Sequence, residues 1–110
     1  MNNEFLKRRL WNLLYEIWYQ SLLFERGATS FVMMCKEGLG LGDKEQHTLY
    51  TLLDGCSDET YFATVCTQAD DILANFLADP IHVITIAKEC GTTLNKDLSY
   101  LTDPLEGVIQ

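Results

Sequence analysis

Four cysteines, two histidines and sixteen carboxylates are the groups in this 110-residue chain whose types could do chemistry, and their spacing limits what that chemistry can be. Cys35, Cys56, Cys66 and Cys90 stand far apart with no Cys-x-x-Cys pair, and His47 and His82 are solitary. Zinc sites draw their ligands from close local pairs of Cys and His, so no metal and no cofactor are expected. Each cysteine lies inside or beside an apolar run, where a thiol packs as a small hydrophobe. Four reduced, buried cysteines are expected, with a disulfide pair as the alternative. Asp70 and Asp71 cannot share a proton as a catalytic dyad does, because neighbours on a helix diverge by about 100°. His82 could meet Cys66 or Cys90 only across the fold. Gly38-Leu39-Gly40-Leu41-Gly42 has the glycine content of a phosphate cradle, but no Gly-Lys-Ser/Thr follows and Asp43 would repel the anion. No catalytic residue is assigned, and the chain is not expected to be an enzyme.

Charge is more informative. Between Lys44 and Lys88 there is no Lys or Arg, while Glu45, Asp54, Asp58, Glu59, Asp70, Asp71 and Asp79 fall in the gap, and the whole chain carries a formal charge of −8. A one-sign surface steers partners of the opposite sign and repels nucleic acid, whose phosphates need clustered Lys and Arg. With 47% hydrophobic residues, the chain has the apolar content that acidic disordered tails lack. Lys7, Arg8 and Arg9 precede an apolar stretch in the manner of a signal peptide, but Asn12, Glu16 and Gln20 interrupt it and no cleavage site follows. No window reaches the ~18 uncharged apolar residues of a membrane span. A cytoplasmic protein with no membrane and no nucleic-acid partner is expected.

The elements that must position these groups read as helices. Asn2 or Asn3 caps a helix running to about Glu25, with Gly27 as its stop. It carries two apolar stripes: Leu6, Leu10, Leu13, Ile17 and Phe24 on one face, and Trp11, Tyr15, Trp18 and Leu22 on another. A surface helix needs one stripe, so this helix is either central in the core or covered along its aromatic face by a second copy or a partner. Ser30 to Glu37 predicts a short helix, with a buried strand as the alternative, and the glycines after it form a flexible connector. Asp43 with Gln46 reads as a capping box opening a helix that stops at Gly55. Ser57 caps the next, whose apolar face is Phe62, Val65, Ala69, Ile72, Leu73 and Phe76. Asp79-Pro80 opens a helix to Cys90, ended by Gly91, although the β-branched residues of 81–86 keep a short strand open. A short helix from Asn95 to Leu101 then meets Thr102-Asp103-Pro104 as a breaker, and 104–110 frays. The expected fold is a small all-α bundle of about five helices forming a single acidic domain over 1–110.

Several carboxylates have local reasons to exist, since Asp43, Asp58, Glu59 and Asp79 sit at helix starts. Asp54 falls at a helix C-terminus, against the dipole, and Asp70 and Asp71 have no basic residue three or four positions away. Thr64 and Thr67 lie in a stripe of short polar side chains that lose little entropy on binding. Asp54, Asp58, Glu59, Thr64, Thr67, Asp70 and Asp71 are the expected partner-binding residues. The expected function is a protein-binding inhibitor of a basic partner, such as a nuclease toxin. In size and charge the chain is similar to immunity proteins, antitoxins and phage inhibitors of nucleases, a likeness of bulk properties that no motif carries. The alternative is a homodimeric adaptor or secretion chaperone with Trp11, Tyr15, Trp18 and Leu22 as its oligomer seam.

Overall fold

The computed structural model describes residues 3–55 and 68–109. Among these residues the protein is all-α, with six α-helices and no strand: α1 (Asn3–Leu23), α2 (Glu25–Met33), α3 (Asp43–Gly55), α4 (Gln68–Ala78), α5 (Pro80–Leu94) and α6 (Ser99–Ile109). The 81–86 segment is therefore helix. Pro80 at the first helical position and Asp79 accepting the His82 N–H at 3.3 Å start α5 strongly enough to override the β-branched side chains.

The two stripes of α1 make it the central helix. Leu6, Leu10, Leu13, Leu14 and Ile17 are buried on one side, and Trp11 and Trp18 on the other. It packs against α2, α3, α4 and α6. The rest of the core comes from Phe31 of α2, Leu49 and Leu53 of α3, Ile72, Leu73 and Phe76 of α4, Val83, Ile84, Ile86 and Ala87 of α5, and Leu98 and Leu105 around α6. Phe24, placed by periodicity on the first stripe, is instead exposed. The chain breaks there, with Phe24 extended at φ −140° and ψ 144°.

That break corrects the expectation for Gly27. It does not stop a helix; it lies buried within α2, where α1 and α2 touch so closely that a Cβ on it would stand 2.1 Å from the Gln20 carbonyl oxygen. After Met33 the helix widens into a π turn, Met34–Gly38, with the Leu39 N–H reaching back to the Met34 carbonyl at 3.0 Å. The glycine segment that follows is tied down rather than flexible. Gly40 N–H bonds to the Lys36 carbonyl, Leu41 N–H bonds to Cys35, Lys36 pairs with Asp43 across the turn, and Leu39 and Leu41 are buried. Glycine is needed at position 40, where φ is +66°. The capping box does not form: Asp43 is the first residue inside α3, its carboxylate goes to Lys36, and the Gln46 N–H bonds to the Gly42 carbonyl.

At the other end, Gly91 does not terminate α5. The helix continues to Leu94, and Asn95 closes it in the left-handed region at φ 54° and ψ 44°. Lys96 N–H bonds to the Gly91 carbonyl and Asn95 N–H to Thr92, the pattern of a Schellman motif. Asn95 is thus a terminator and not a beginning. Asp97 accepts the Ser99 N–H at 2.9 Å, and α6 starts at Ser99, four residues later than expected. Pro104 lies inside α6 and does not break it, and Leu105 just beyond is wholly buried. Burying a leucine is worth about 1.5–3 kcal/mol, enough to offset much of what a proline removes from a short helix.

Candidate partner-binding surface

Of the seven expected contact residues, Asp58, Glu59, Thr64 and Thr67 lie outside the described residues, as do Cys56, Cys66 and the expected cap at Ser57. The other three are exposed. Asp54 sits in the last described turn of α3, which carries no basic residue to balance it. Asp70 and Asp71 are neighbours near the start of the described part of α4. Asp70 is not without a partner: Lys7 of α1 reaches it at 2.6 Å, and the hydrogen bond raises the lysine's pKa above its ordinary value. The pairing is tertiary, across 63 positions, so no inspection of helical neighbours would find it. Asp71 and Asp54 have no ion-pair partner among the described residues.

Ion pairs within the chain recur over the surface. Arg8 pairs with Glu4, Lys36 with Asp43, Lys88 with Glu106, and Lys96 with Glu16 at 2.9 Å. Arg9 and Arg26 lie over the rings of Phe5 and Phe24. Most of the cations are thus occupied within the chain, and the carboxylates in excess face solvent. Glu25, Glu37, Glu45, Glu89 and Asp103 are exposed with Asp54 and Asp71, so the acidic character reaches beyond the Lys44–Lys88 window.

The aromatic stripe of α1 is where the chain covers itself. Trp11 is 1% and Trp18 5% exposed, Tyr15 is half-buried, and only Leu22, at 50%, faces solvent. Trp18 packs on Tyr15 at 5.3 Å and edge-on to Tyr50 of α3 at 6.2 Å, and Tyr50 in turn meets Phe31 of α2 at 5.7 Å. The two tryptophans are buried within the single chain's own core. What α1 leaves open is its far end, where Tyr19, Leu22, Leu23 and Phe24 are exposed.

Two of the residues with nucleophilic or metal-binding potential are engaged in holding the fold. His82 donates through Nε2 to the Glu37 carbonyl at 2.7 Å, joining α5 to the π turn, while the buried Cys90 thiol donates to the Ser30 carbonyl at 3.3 Å. Among the described residues no three His, Cys, Asp or Glu side chains cluster as metal ligands would, and no helix is long and apolar enough to cross a membrane. Cys35 and Cys90 are free thiols, and burial pushes both up to about 12. At pH 8 roughly one such thiol in ten thousand is ionised, and the thiolate is the reactive form. Iodoacetamide at pH 8 should therefore leave Cys35 and Cys90 unmodified in the native protein and label both in urea, as read by peptide mass spectrometry. Native-state labelling at the rate of a free thiol would place them at the surface.

A cleft of about 520 Å³, which no sequence motif marks, lies between the end of α5 and the start of α6, lined in part by Lys88, Thr92, Lys96, Ser99 and Thr102. Its residues are scattered over fifteen positions, and the only local signs of it are Asn95 and the Asp97-x-Ser99 start. Fold and surface together define an acidic, all-α helical protein. Comparison with known protein families, with curated proteins and with solved structures found no match.

Proposed function

We propose that this protein is a binding module for a basic protein partner, and most concretely an inhibitor that sits over a cationic cleft, such as the phosphate-binding site of a nuclease toxin, and keeps substrate out. The observation that carries this is the charge remaining after the chain's own pairs are made. Lys7, Arg8, Lys36, Lys88 and Lys96 each pair with a carboxylate of the same chain, while Asp54 and Asp71 stay exposed with no ion-pair partner among the described residues. Such charges contribute little to the fold; at an interface they steer encounter and select partners. The inhibitory step is occlusion, which needs no catalytic group, cofactor or metal on this chain. A homodimeric adaptor is the weaker alternative, because two of the four residues it would use are spent on the core.

Affinity capture of the tagged protein from lysate of its own source cells, washed at low and then high salt, tests this directly. One basic protein retained in stoichiometric amount supports the inhibitor. The interface is then tested with Asp54→Lys combined with Asp71→Lys, which spares the Lys7–Asp70 pair. The double variant should fold normally and associate with the captured partner about tenfold more slowly at low salt. The difference should shrink as the Debye length falls below ~10 Å. An unchanged on-rate removes both residues from the contact.

A further inference from the structure

Between Glu16 and Lys36 the chain carries only two charged residues, Glu25 and Arg26, adjacent and opposite in sign. This stretch forms the corner between α1 and α2, and it holds four of the nine exposed large hydrophobic side chains among the described residues. Tyr19, Leu22 and Leu23 share one face at the end of α1 by their i, i+3, i+4 spacing, and Phe24 follows where the chain breaks. Their exposure runs from 43% at Tyr19 to 53% at Leu23. Apolar residues scattered singly over a surface are ordinary, whereas a group of them marks an interaction site. The corner is also held rigidly. Gly27 seats α2 against the Gln20 and Ser21 backbone. The Phe24 N–H bonds to the Gln20 carbonyl and the Gly27 N–H to the Phe24 carbonyl, both at 3.0 Å, so little ordering remains to be lost on association.

Charge decides what covers this corner. At a formal charge of −8, copies of the chain repel one another, so two of them meet most readily at a face whose own charge cancels. The corner is such a face. Glu25 and Arg26 are both exposed, neither has an ion-pair partner among the described residues, and the Arg26 guanidinium lies 5.6 Å over the Phe24 ring. Across a twofold axis a surface meets its own image, so Glu25 of one copy can face Arg26 of the other, and the reverse. A basic partner finds no such match, because Arg26 repels it and Glu25 is the one carboxylate there.

We propose that this protein self-associates through the α1–α2 corner, as a twofold dimer that packs Leu22, Leu23 and Phe24 against their counterparts and crosses Glu25 with Arg26. The interface does not rest on the inhibitor reading and uses neither Asp54 nor Asp71. It is also not the tryptophan stripe, with which it shares Leu22 alone. Four apolar side chains are few for an interface, so the dimer is a transient one.

Analytical ultracentrifugation of the full chain from ~10 μM to ~1 mM, at low and at high salt, reads the association. A monomer–dimer equilibrium is expected, and salt should tighten it, because screening relieves the repulsion between two acidic copies. Leu23→Glu, at an exposed position, should keep the parent's melting temperature and weaken the dimer about tenfold or more. The charge match has a test of its own. Glu25→Arg and Arg26→Glu should each self-associate more weakly than the parent, while an equimolar mixture of the two should form the mixed dimer, whose facing charges are opposite throughout. A monomer at every concentration would overturn the proposal, as would a dimer that Leu23→Glu leaves intact or a mixture no tighter than its components. A parent that stays monomeric while Leu23→Glu loses the captured basic protein would give the corner to that partner, and would overturn it too.

Discussion

Gly27→Ala should cost this protein about 3 kcal/mol or more, although alanine is the better helix former. By propensity alone, glycine to alanine inside a helix gains up to ~1 kcal/mol. At position 27 the new methyl would meet the Gln20 carbonyl oxygen at 2.1 Å, the Gln20 carbonyl carbon at 2.4 Å and the Ser21 nitrogen at 2.7 Å. All three are backbone atoms of α1, so no side chain can swing aside, and α1 and α2 must separate along the contact that seats Phe31 and Trp18. Overpacking of this kind costs about 1–3 kcal/mol where side chains can adjust, and more where they cannot. Against a typical total of ~5–15 kcal/mol, that is a large share of the native stability. Urea denaturation followed by circular dichroism measures it, and Gly107→Ala is the control, since a Cβ there meets nothing within 4 Å. The same exchange should be neutral or slightly stabilising at 107 and strongly destabilising at 27. Equal effects would mean that the α1–α2 contact is looser than its geometry.

Gly27 also marks where sequence stops being legible. A glycine that ends a helix and one that lets two helices touch are the same letter in the same kind of setting, and the partner backbone that distinguishes them lies seven positions earlier, on the other helix. Gly91 is the second case: the Lys96 carbonyl, 2.8 Å from where its Cβ would be, turns an apparent stop into an interior residue. Some signals that act within one turn are legible: Asp79-Pro80 opens α5, and the double stripe of α1 identifies the central helix. The Asp43–Gln46 capping box, equally local, does not form because the carboxylate goes to Lys36, and signals that depend on a neighbour in space are not legible in the sequence. The absence of a basic residue near Asp70 in sequence says nothing about Lys7. Surface charge lies between these cases. Its sign and size follow from composition, whereas which carboxylates have no ion-pair partner among the described residues, Asp54 and Asp71 for two, depends on how the helices pack.

Trp18→Ala should leave a strongly destabilised chain and not stable folded monomers, and the contrast decides between the two accounts of the aromatic stripe. Were the stripe an oligomer seam, truncating its central tryptophan would weaken association and spare the protomer. Trp18 is instead 5% exposed, stacked against Tyr15 and edge-on to Tyr50, with Phe31 next in line. The indole is what seats α3 on α1. Removing it takes away one of the two largest core side chains and leaves a cavity that Tyr50 cannot fill without leaving Phe31; the usual cost of such a truncation is ~3–5 kcal/mol. Light scattering of parent and variant at matched concentration, with urea denaturation of each, reads both quantities. A parent dimer that Trp18→Ala converts into stable monomers would restore the adaptor and displace the inhibitor. Trp18→Phe sharpens the test, because the Trp18 Nε1 is buried without a hydrogen-bond partner: the ring gives shape and not a polar contact, so phenylalanine should recover a substantial part of what alanine loses. That recovery would locate the stabilisation in the packing of α1, α2 and α3 within one chain, leaving the acidic exterior free for a partner of another kind.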